Sequence, residues 1–268
     1  MGLDLAAQPG SSVGCRLEWQ RHKVAVHMSQ IAPPQEIVHC RGVTKSFGSG
    51  AATVAALRGV DLDVFDGELL LLVGPSGCGK TTLLSIIGAM LERDAGDCTV
   101  MGRDPEDMGR SERARFRGES LGFVFQGFNL LPTLSAQENV AVPLLIGGTP
   151  RRFAFQNARD MLEVVGLGER LDARPSELSG GQQQRVAIAR ALARSPRLVL
   201  CDEPTSNLDH ETGAEMVELL RRAGRASGRA LIVATHDTRI FGYADRVAHM
   251  EDGRILDVTP PPAAGVHP

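Results

Sequence analysis

No apolar run in this 268-residue chain approaches the ~20 residues that cross a bilayer, so any membrane role has to be borrowed from another protein. Its five cysteines, Cys15, Cys40, Cys78, Cys98 and Cys201, are an odd set without CxxC spacing. That excludes a disulfide framework and a cysteine zinc cluster, and it fits a reducing cytosol. Charge of one sign is lacking too: 29 basic against 32 acidic residues leave a net charge of −3. No overall field therefore draws the chain to nucleic acid or anionic lipid, and partners have to be sought locally. The length suits one large domain, or one domain with a lobe.

What the chain does contain is Gly74-Pro75-Ser76-Gly77-Cys78-Gly79-Lys80-Thr81, a glycine-bounded loop closed by Lys and Thr. This is the pattern of a phosphate-cradling P-loop. The apolar run Leu69–Val73 enters it as a buried strand, and Leu83, Leu84, Ile87 and Leu91 leave it at helical spacing. Strand, glycine loop and helix thus come in the required order. Glycine lets backbone N–H groups turn toward phosphate oxygens, and the helix N-terminus adds its positive dipole end. Lys80 is expected to reach the β- and γ-phosphates and Thr81 the Mg²⁺, with Thr82 completing the nucleotide contacts. The Cys78 thiol at this helix start is expected to alkylate, with ATP protecting it; the alternative is a buried, inert thiol.

Before the loop, residues 1–35 mix Gly, Ser, Gln and Pro with scattered charge and read as a flexible extension. Asp4 and Pro9 interrupt any hydrophobic segment ahead of Val13-Gly14-Cys15, which argues against a signal peptide, and Met28 is a second candidate start. Phe47 is either an adenine platform or an edge aromatic. Val60–Val64 alternates apolar and polar residues, and Asp66-Gly67 follows as a tight turn. Together with the P-loop strand these predict a hairpin.

Beyond the P-loop helix, Thr99-Val100-Met101 predicts a short strand, and the four arginines of Arg110–Arg117 a solvated helix face. Leu121–Phe125 predicts a strand that delivers Gln126 at its carboxyl end, where ligands of open α/β sheets bind. A small helical subdomain is expected at about 112–178, most of it an insertion from residue 127 onward, with Ala158, Met161, Leu162 and Val165 on one helix that stops at Gly166. Its loop Phe128, Leu130, Leu131, Pro132 and Leu134 is apolar enough either to pack the insertion or to form a groove for a membrane partner.

Leu178-Ser179-Gly180-Gly181-Gln182 then precedes a helix predicted over Gln183–Arg194; Ser179 and its glycines form a second anion cradle or an ordinary N-cap. The strand Leu198–Cys201 ends in Asp202 and Glu203. Asp202, expected beside the P-loop strand, can hold Mg²⁺ through water, and Glu203 can polarise an attacking water. Asp209 is placed to cap the following helix, which carries Met216, Leu219, Leu220 and Ala223. A last buried strand, Ala230–Ala234, leads to Thr235-His236-Asp237, putting His236 near the γ-phosphate or the attacking water.

This ordered set resembles the nucleotide-binding subunit of an ATP-binding cassette (ABC) transporter over residues 37–257. The resemblance implies an α/β fold: a P-loop NTPase (RecA-like) core sheet with an antiparallel β subdomain and a small α-helical subdomain. It implies an ATPase domain at 36–258 and a tail at 259–268. Catalytic roles are implied for Glu203, His236 and Gln126, with Gln126 joining Thr81 and Asp202 at Mg²⁺. Leu178–Gln182 would be the signature that meets the ATP of a second copy in a head-to-tail homodimer, and Asp209 would carry communication between the copies. The family usually has Tyr where Phe47 stands; the chain's one Tyr is Tyr243.

Finer likeness, in Gln126–Leu134, Glu138-Asn139-Val140 and Ser179–Arg185, is to the lipoprotein-release and macrolide-export ATPases. Thr235–Phe241 and Ala244-Asp245-Arg246 resemble most closely the branch of the heterocyst glycolipid exporter. Such subunits work on the cytoplasmic face of the membrane with a separate integral-membrane permease, often with a periplasmic adaptor protein, and without nucleic acid. An importer, a mechanical-signalling ATPase and a soluble non-transport ABC ATPase are the alternatives. A DNA-acting ABC ATPase is disfavoured because fewer than a hundred residues, without heptads, separate Thr81 from Ser179.

Overall fold

The computed structural model describes residues 35–206, 208, 210–225 and 228–261. It begins with two long antiparallel strands, β1 (Glu36–Phe47) and β2 (Val54–Phe65). Their period-two pattern turns Val38, Cys40, Val60, Leu62 and Val64 into the core. Next come β3 (Leu69–Val73), the P-loop, and α1 (Lys80–Ile87). The strand β4 (Ala95–Val100) returns to pair with β1, giving a three-stranded antiparallel sheet in the order β2-β1-β4.

After α2 (Arg110–Ser120) and β5 (Leu121–Val124) the chain makes the helical portion, α3 (Ala136–Ile146) and α4 (Arg151–Val164). It then continues through α5 (Gly180–Leu192), β6 (Leu198–Asp202), α6 (His210–Arg225), β7 (Ala230–Thr235), β8 (Arg246–Glu251) and β9 (Arg254–Thr259). The second sheet has the order β5-β6-β7-β3-β8-β9; its first five strands are parallel and β9 is an antiparallel edge.

The expected hairpin of β2 with β3 does not form, because β2 pairs with β1 and β3 with β7 and β8. All five side chains of β3 are buried, which demands cover on both faces; β2 has only one apolar face to offer. The turn at Asp66-Gly67, with Gly67 at φ 74°, passes the chain from one sheet to the other. Glu68 anchors that crossing. Its carboxylate accepts from the Phe65 amide (2.8 Å) and pairs with Arg246, whose guanidinium also reaches the Asp63 carbonyl (2.6 Å).

Two other expectations need adjustment. β7 lies between β6 and β3, so Asp202 is not on a strand adjacent to the P-loop strand. The signature helix starts three residues earlier than predicted, since Ser179 is its N-cap and closes a capping box with Gln182. Arg110 and Arg115 of α2 are solvated as expected, while Arg113 pairs with Glu92 and Phe116 is buried. Asp209 and residues 1–34 lie outside the described residues.

The helix α5 joins the two halves of the core. Val186 and Ala189 pack with Val140, Ala158 and Leu162 of the helical portion, whereas Ile188 and Leu192 pack with Val124, Val199 and Cys201 of the sheet. Because Glu68 is buried and shares its carboxylate between a backbone amide and Arg246, Glu68→Ala should cost about 3 kcal/mol of stability. Urea unfolding of the variant beside the parent measures it.

Candidate active site

Glycine at the P-loop is dictated by close approach as well as by turn geometry. A Cβ on Gly74 would lie 2.0 Å from the Met250 carbonyl oxygen, and one on Gly79, at φ 109°, 2.5 Å from that of Ala56. Gly79 caps α1 without a side-chain acceptor, so the first-turn N–H groups face the loop. Lys80 is buried, and its Nζ donates to the carbonyls of Gly74 (2.7 Å) and Pro75 (3.0 Å). Its ammonium is therefore held inside the loop, 3.9 Å from Glu203 Oε1.

Around this loop opens a cavity of about 410 Å³, lined by Ser76, Gly77, Gly79, Lys80, Thr81, Thr82, Gln126, Glu203 and His236. Three strand ends thus deliver Gln126, Glu203 and His236 to one place. Thr81 Oγ1 donates to Asp202 Oδ2 at 2.9 Å, bridging the gap that β7 imposes between the two strands. Asp202 Oδ1 is buried without a hydrogen-bond partner. Burial above all, together with the neighbouring Glu203 charge, pushes the Asp202 pKa up, against the Thr81 hydroxyl and Lys80. A hydroxyl and a carboxylate with an unused oxygen are the hard donors that Mg²⁺ takes, and a cation there would relieve the unfavourable burial.

Glu203 sits in the left-handed region at φ 48°, pinned by its amide to the Ala234 carbonyl (2.9 Å) and by Ser206 Oγ on its own carbonyl (3.0 Å). Such a backbone is uncommon for Glu and holds the carboxylate at a fixed aim. His236 Nδ1 lies 2.8 Å from Glu203 Oε2, at ion-pair distance but without the alignment of a hydrogen bond. Ala56 also lines the cavity; a small apolar strand residue gives no signal in sequence.

Two expected nucleotide residues, Phe47 and Cys78, do not line the cavity. Phe47, at the end of β1, is 45% exposed, is not among the cavity's lining residues, and carries Lys45 Nζ 5.9 Å from its ring centre. Cys78 is buried in the main core cluster, with its carbonyl accepting from the Gly253 amide (3.0 Å). The thiol is placed as the buried alternative has it, beneath the loop with the Lys80 ammonium 3.9 Å from Sγ.

Leu178 is buried, while Ser179–Gln182 line a second cavity of about 380 Å³ with Leu208 and Thr212. The N-cap reading of Ser179 holds, and the glycines keep an open face for the second reading. Its hydroxyl accepts from the Gln182 amide (3.3 Å) as an N-cap, and the glycine turn still faces open space. The two cavities share no residue.

Next to Gln126, Phe128 (φ 60°) and Asn129 (φ 48°) form a left-handed turn whose carbonyls accept from Arg190 at 2.8 and 2.6 Å. Arg190 has no carboxylate within ion-pair distance among the described residues, and burial lowers its pKa. It lines a groove of about 310 Å³ with Phe123, Phe125, Val142, Pro143 and Ile146. The loop singled out in the sequence divides: Leu130 packs into the helical core and Leu131 is 45% exposed. Asn139, fully buried, organises it by accepting from the Leu131 amide (2.7 Å) and donating to the Leu131 and Leu134 carbonyls.

The ABC transporter family pattern matches residues 57–206. The chain belongs to that family. The lipoprotein-releasing system ATP-binding protein LolD 2 of Caulobacter vibrioides is 46% identical over 219 residues, covering 82% of this chain and 96% of that protein. The macrolide export ATP-binding/permease protein MacB of Nitrosomonas europaea is 44% identical over 84% of this chain, but only 34% of its own length is matched. Among solved structures, a dimeric, post-hydrolysis ATP-binding cassette, MJ0796, bound to ADP and phosphate, has a TM-score of 0.77 at 36% identity, covering 83% of this chain and 98% of that one. The fold is thus that of an ABC cassette, and the protein is an ABC ATPase, hydrolysing ATP to ADP and phosphate. Among the described residues no helix is long and apolar enough to cross a membrane.

For this ABC ATPase the buried position of Cys78 has a direct chemical consequence. Iodoacetamide should label Cys78 in the native protein roughly 100-fold more slowly than in urea, with or without ATP. Rapid native labelling that ATP suppresses would restore the accessible thiol.

Proposed function

We propose that residues 36–258 form the ATPase domain of a transporter subunit that pairs head to tail on binding ATP. On this reading it works at the cytoplasmic face of the cell membrane and energises a separate integral-membrane permease for export or extraction of a substrate. The carrying observation is the division of phosphate-binding features between two cavities without a common residue. One copy supplies Gly74–Thr82, Gln126 and the acidic strand end, and its partner supplies Ser179–Gly181 over the same nucleotide. The relatives' names point the same way: lipoprotein release, macrolide export and a dimeric cassette. A periplasmic adaptor would join where the permease calls for one.

In this mechanism Lys80 exchanges the Gly74 and Pro75 carbonyls for the phosphates, and the P-loop amides cradle them. Thr81, Asp202 and Gln126 would hold Mg²⁺, Asp202 through water; bound there, the ion neutralises phosphate charge. Glu203 takes the proton of the attacking water, and His236, 2.8 Å away, orients that carboxylate and meets the γ-phosphate. Phe47 would offer its ring to adenine, and Asp209 would report nucleotide state between the copies.

Glu203→Gln should keep ATP binding but lose about 10²- to 10⁴-fold in turnover, accumulating as an ATP-bound dimer on size exclusion. Near-normal hydrolysis by the purified complex would remove Glu203 from this role.

The groove beside Arg190 is the surface we assign to the permease. It combines an apolar lining with a guanidinium that lacks a carboxylate, and Ile146 stands 82% exposed on its rim. Ile146→Glu should leave melting temperature and ATP affinity of the isolated subunit within error, yet prevent copurification with the permease. Retained assembly and transport would place the permease elsewhere.

A further inference from the structure

Gln184 is 1% exposed, and neither its amide nitrogen nor its amide oxygen has a hydrogen-bond partner. A buried primary amide normally satisfies both atoms, and one that satisfies neither is costly in free energy. Nothing in the roles proposed above uses it, although it lies on α5 two residues after the signature.

Helical spacing fixes the direction of the side chain. Gly181, one turn before, faces Thr212, since a Cβ there would fall 2.7 Å from Thr212 Cγ2. Ile188, one turn after, packs with Cys201, Met216 and Leu220. Gln184 therefore points into the seam between α5, the carboxyl end of β6 and the start of α6. The chain leaving β6 is Pro204-Thr205-Ser206, next to Glu203, and Thr205 lies against the start of α6, where a Cβ on Gly213 would fall 3.6 Å from Thr205 Cβ. Pro204 and Thr205 are buried, and Ser206 donates to the Glu203 carbonyl.

We infer that Gln184 is a positioning residue. In the ATP-clamped dimer its amide hydrogen-bonds the backbone of Pro204–Ser206, tying the signature cradle of one copy to the turn that aims Glu203 of the same copy. The single subunit leaves the amide unsatisfied; on this inference closure of the dimer satisfies it. A group that is worse off in one state than in another biases the equilibrium toward the second, and removing it removes that bias. The inference rests on the shared-site dimer proposed above.

Gln184→Leu, of similar volume and without polar atoms, tests it in the slow-hydrolysing Glu203→Gln background. Melting temperature of the nucleotide-free subunit should hold or rise by up to about 4 °C, because a desolvated amide is gone. ATP affinity measured on dilute monomer should stay within about twofold, while ATP-driven dimerisation weakens about tenfold, the loss of one net hydrogen bond. A merely structural glutamine would give the opposite first result, a lower melting temperature. That outcome, or dimerisation equal to the parent, overturns the inference. Gln184→Met, unbranched, serves if Leu does not pack. A Glu203→Gln parent that fails to dimerise with ATP sinks the shared-site reading and this inference with it; a dimerising parent matched by Gln184→Leu sinks this inference alone.

Discussion

The double-sided burial of Leu69–Val73 is the constraint on which the architecture depends. Five consecutive apolar side chains cannot sit at an edge or on a one-faced sheet, so β3 takes a central parallel place between β7 and β8. A parallel neighbour ends at the same side of the sheet as β3. The P-loop, Asp202-Glu203 and Thr235-His236 therefore emerge together, although they are scattered along the chain. The antiparallel sheet is placed by a separate tie, the Glu68–Arg246 pair at the crossing from β2.

That convergence creates an electrostatic problem. Asp202 and Glu203 are adjacent carboxylates with little access to water, and each has a buried oxygen without a hydrogen-bond partner. The nearest cation, Lys80, is committed to the loop carbonyls and stands 3.9 Å from Glu203. Burial above all, with the Glu203 charge beside it, pushes the Asp202 pKa up. On the proposed reading, nucleotide phosphates would draw Lys80 away and a divalent cation would take up the unused carboxylate oxygen.

Much of this was legible in sequence, and the exceptions have physical causes. The P-loop, the signature and the acidic strand end are read from local order, because phosphate binding needs fixed residue types at fixed spacing. The hairpin expectation failed because Asp66-Gly67 specifies a turn but not which sheet the next strand joins; the uniform burial of β3 decides that. Adjacency of Asp202 to the P-loop strand failed for a related reason, since strand order is a property of crossovers that no single segment encodes. Cys78 misled because helix-start chemistry says nothing of which way a side chain turns. Asn139 and Arg190 were invisible as organisers of the loop after Gln126, since their work is on backbone carbonyls that any sequence would provide.

One element, α5, connects the signature turn with the groove beside Arg190. Its N-terminus is the signature cradle, its middle is split between the helical core and the sheet core, and Arg190 near its end clamps the left-handed turn beside Gln126 and faces the groove. A helix of this length would move as a rigid rod, so a shift at Ser179 would reach Arg190 without intermediate loops. The carbonyls of Phe128 and Asn129 would follow, and with them Gln126. On the proposed reading, coupling between nucleotide and permease would need no chain of soft contacts, since the same helix reaches the signature at one end and the groove beside Arg190 at the other.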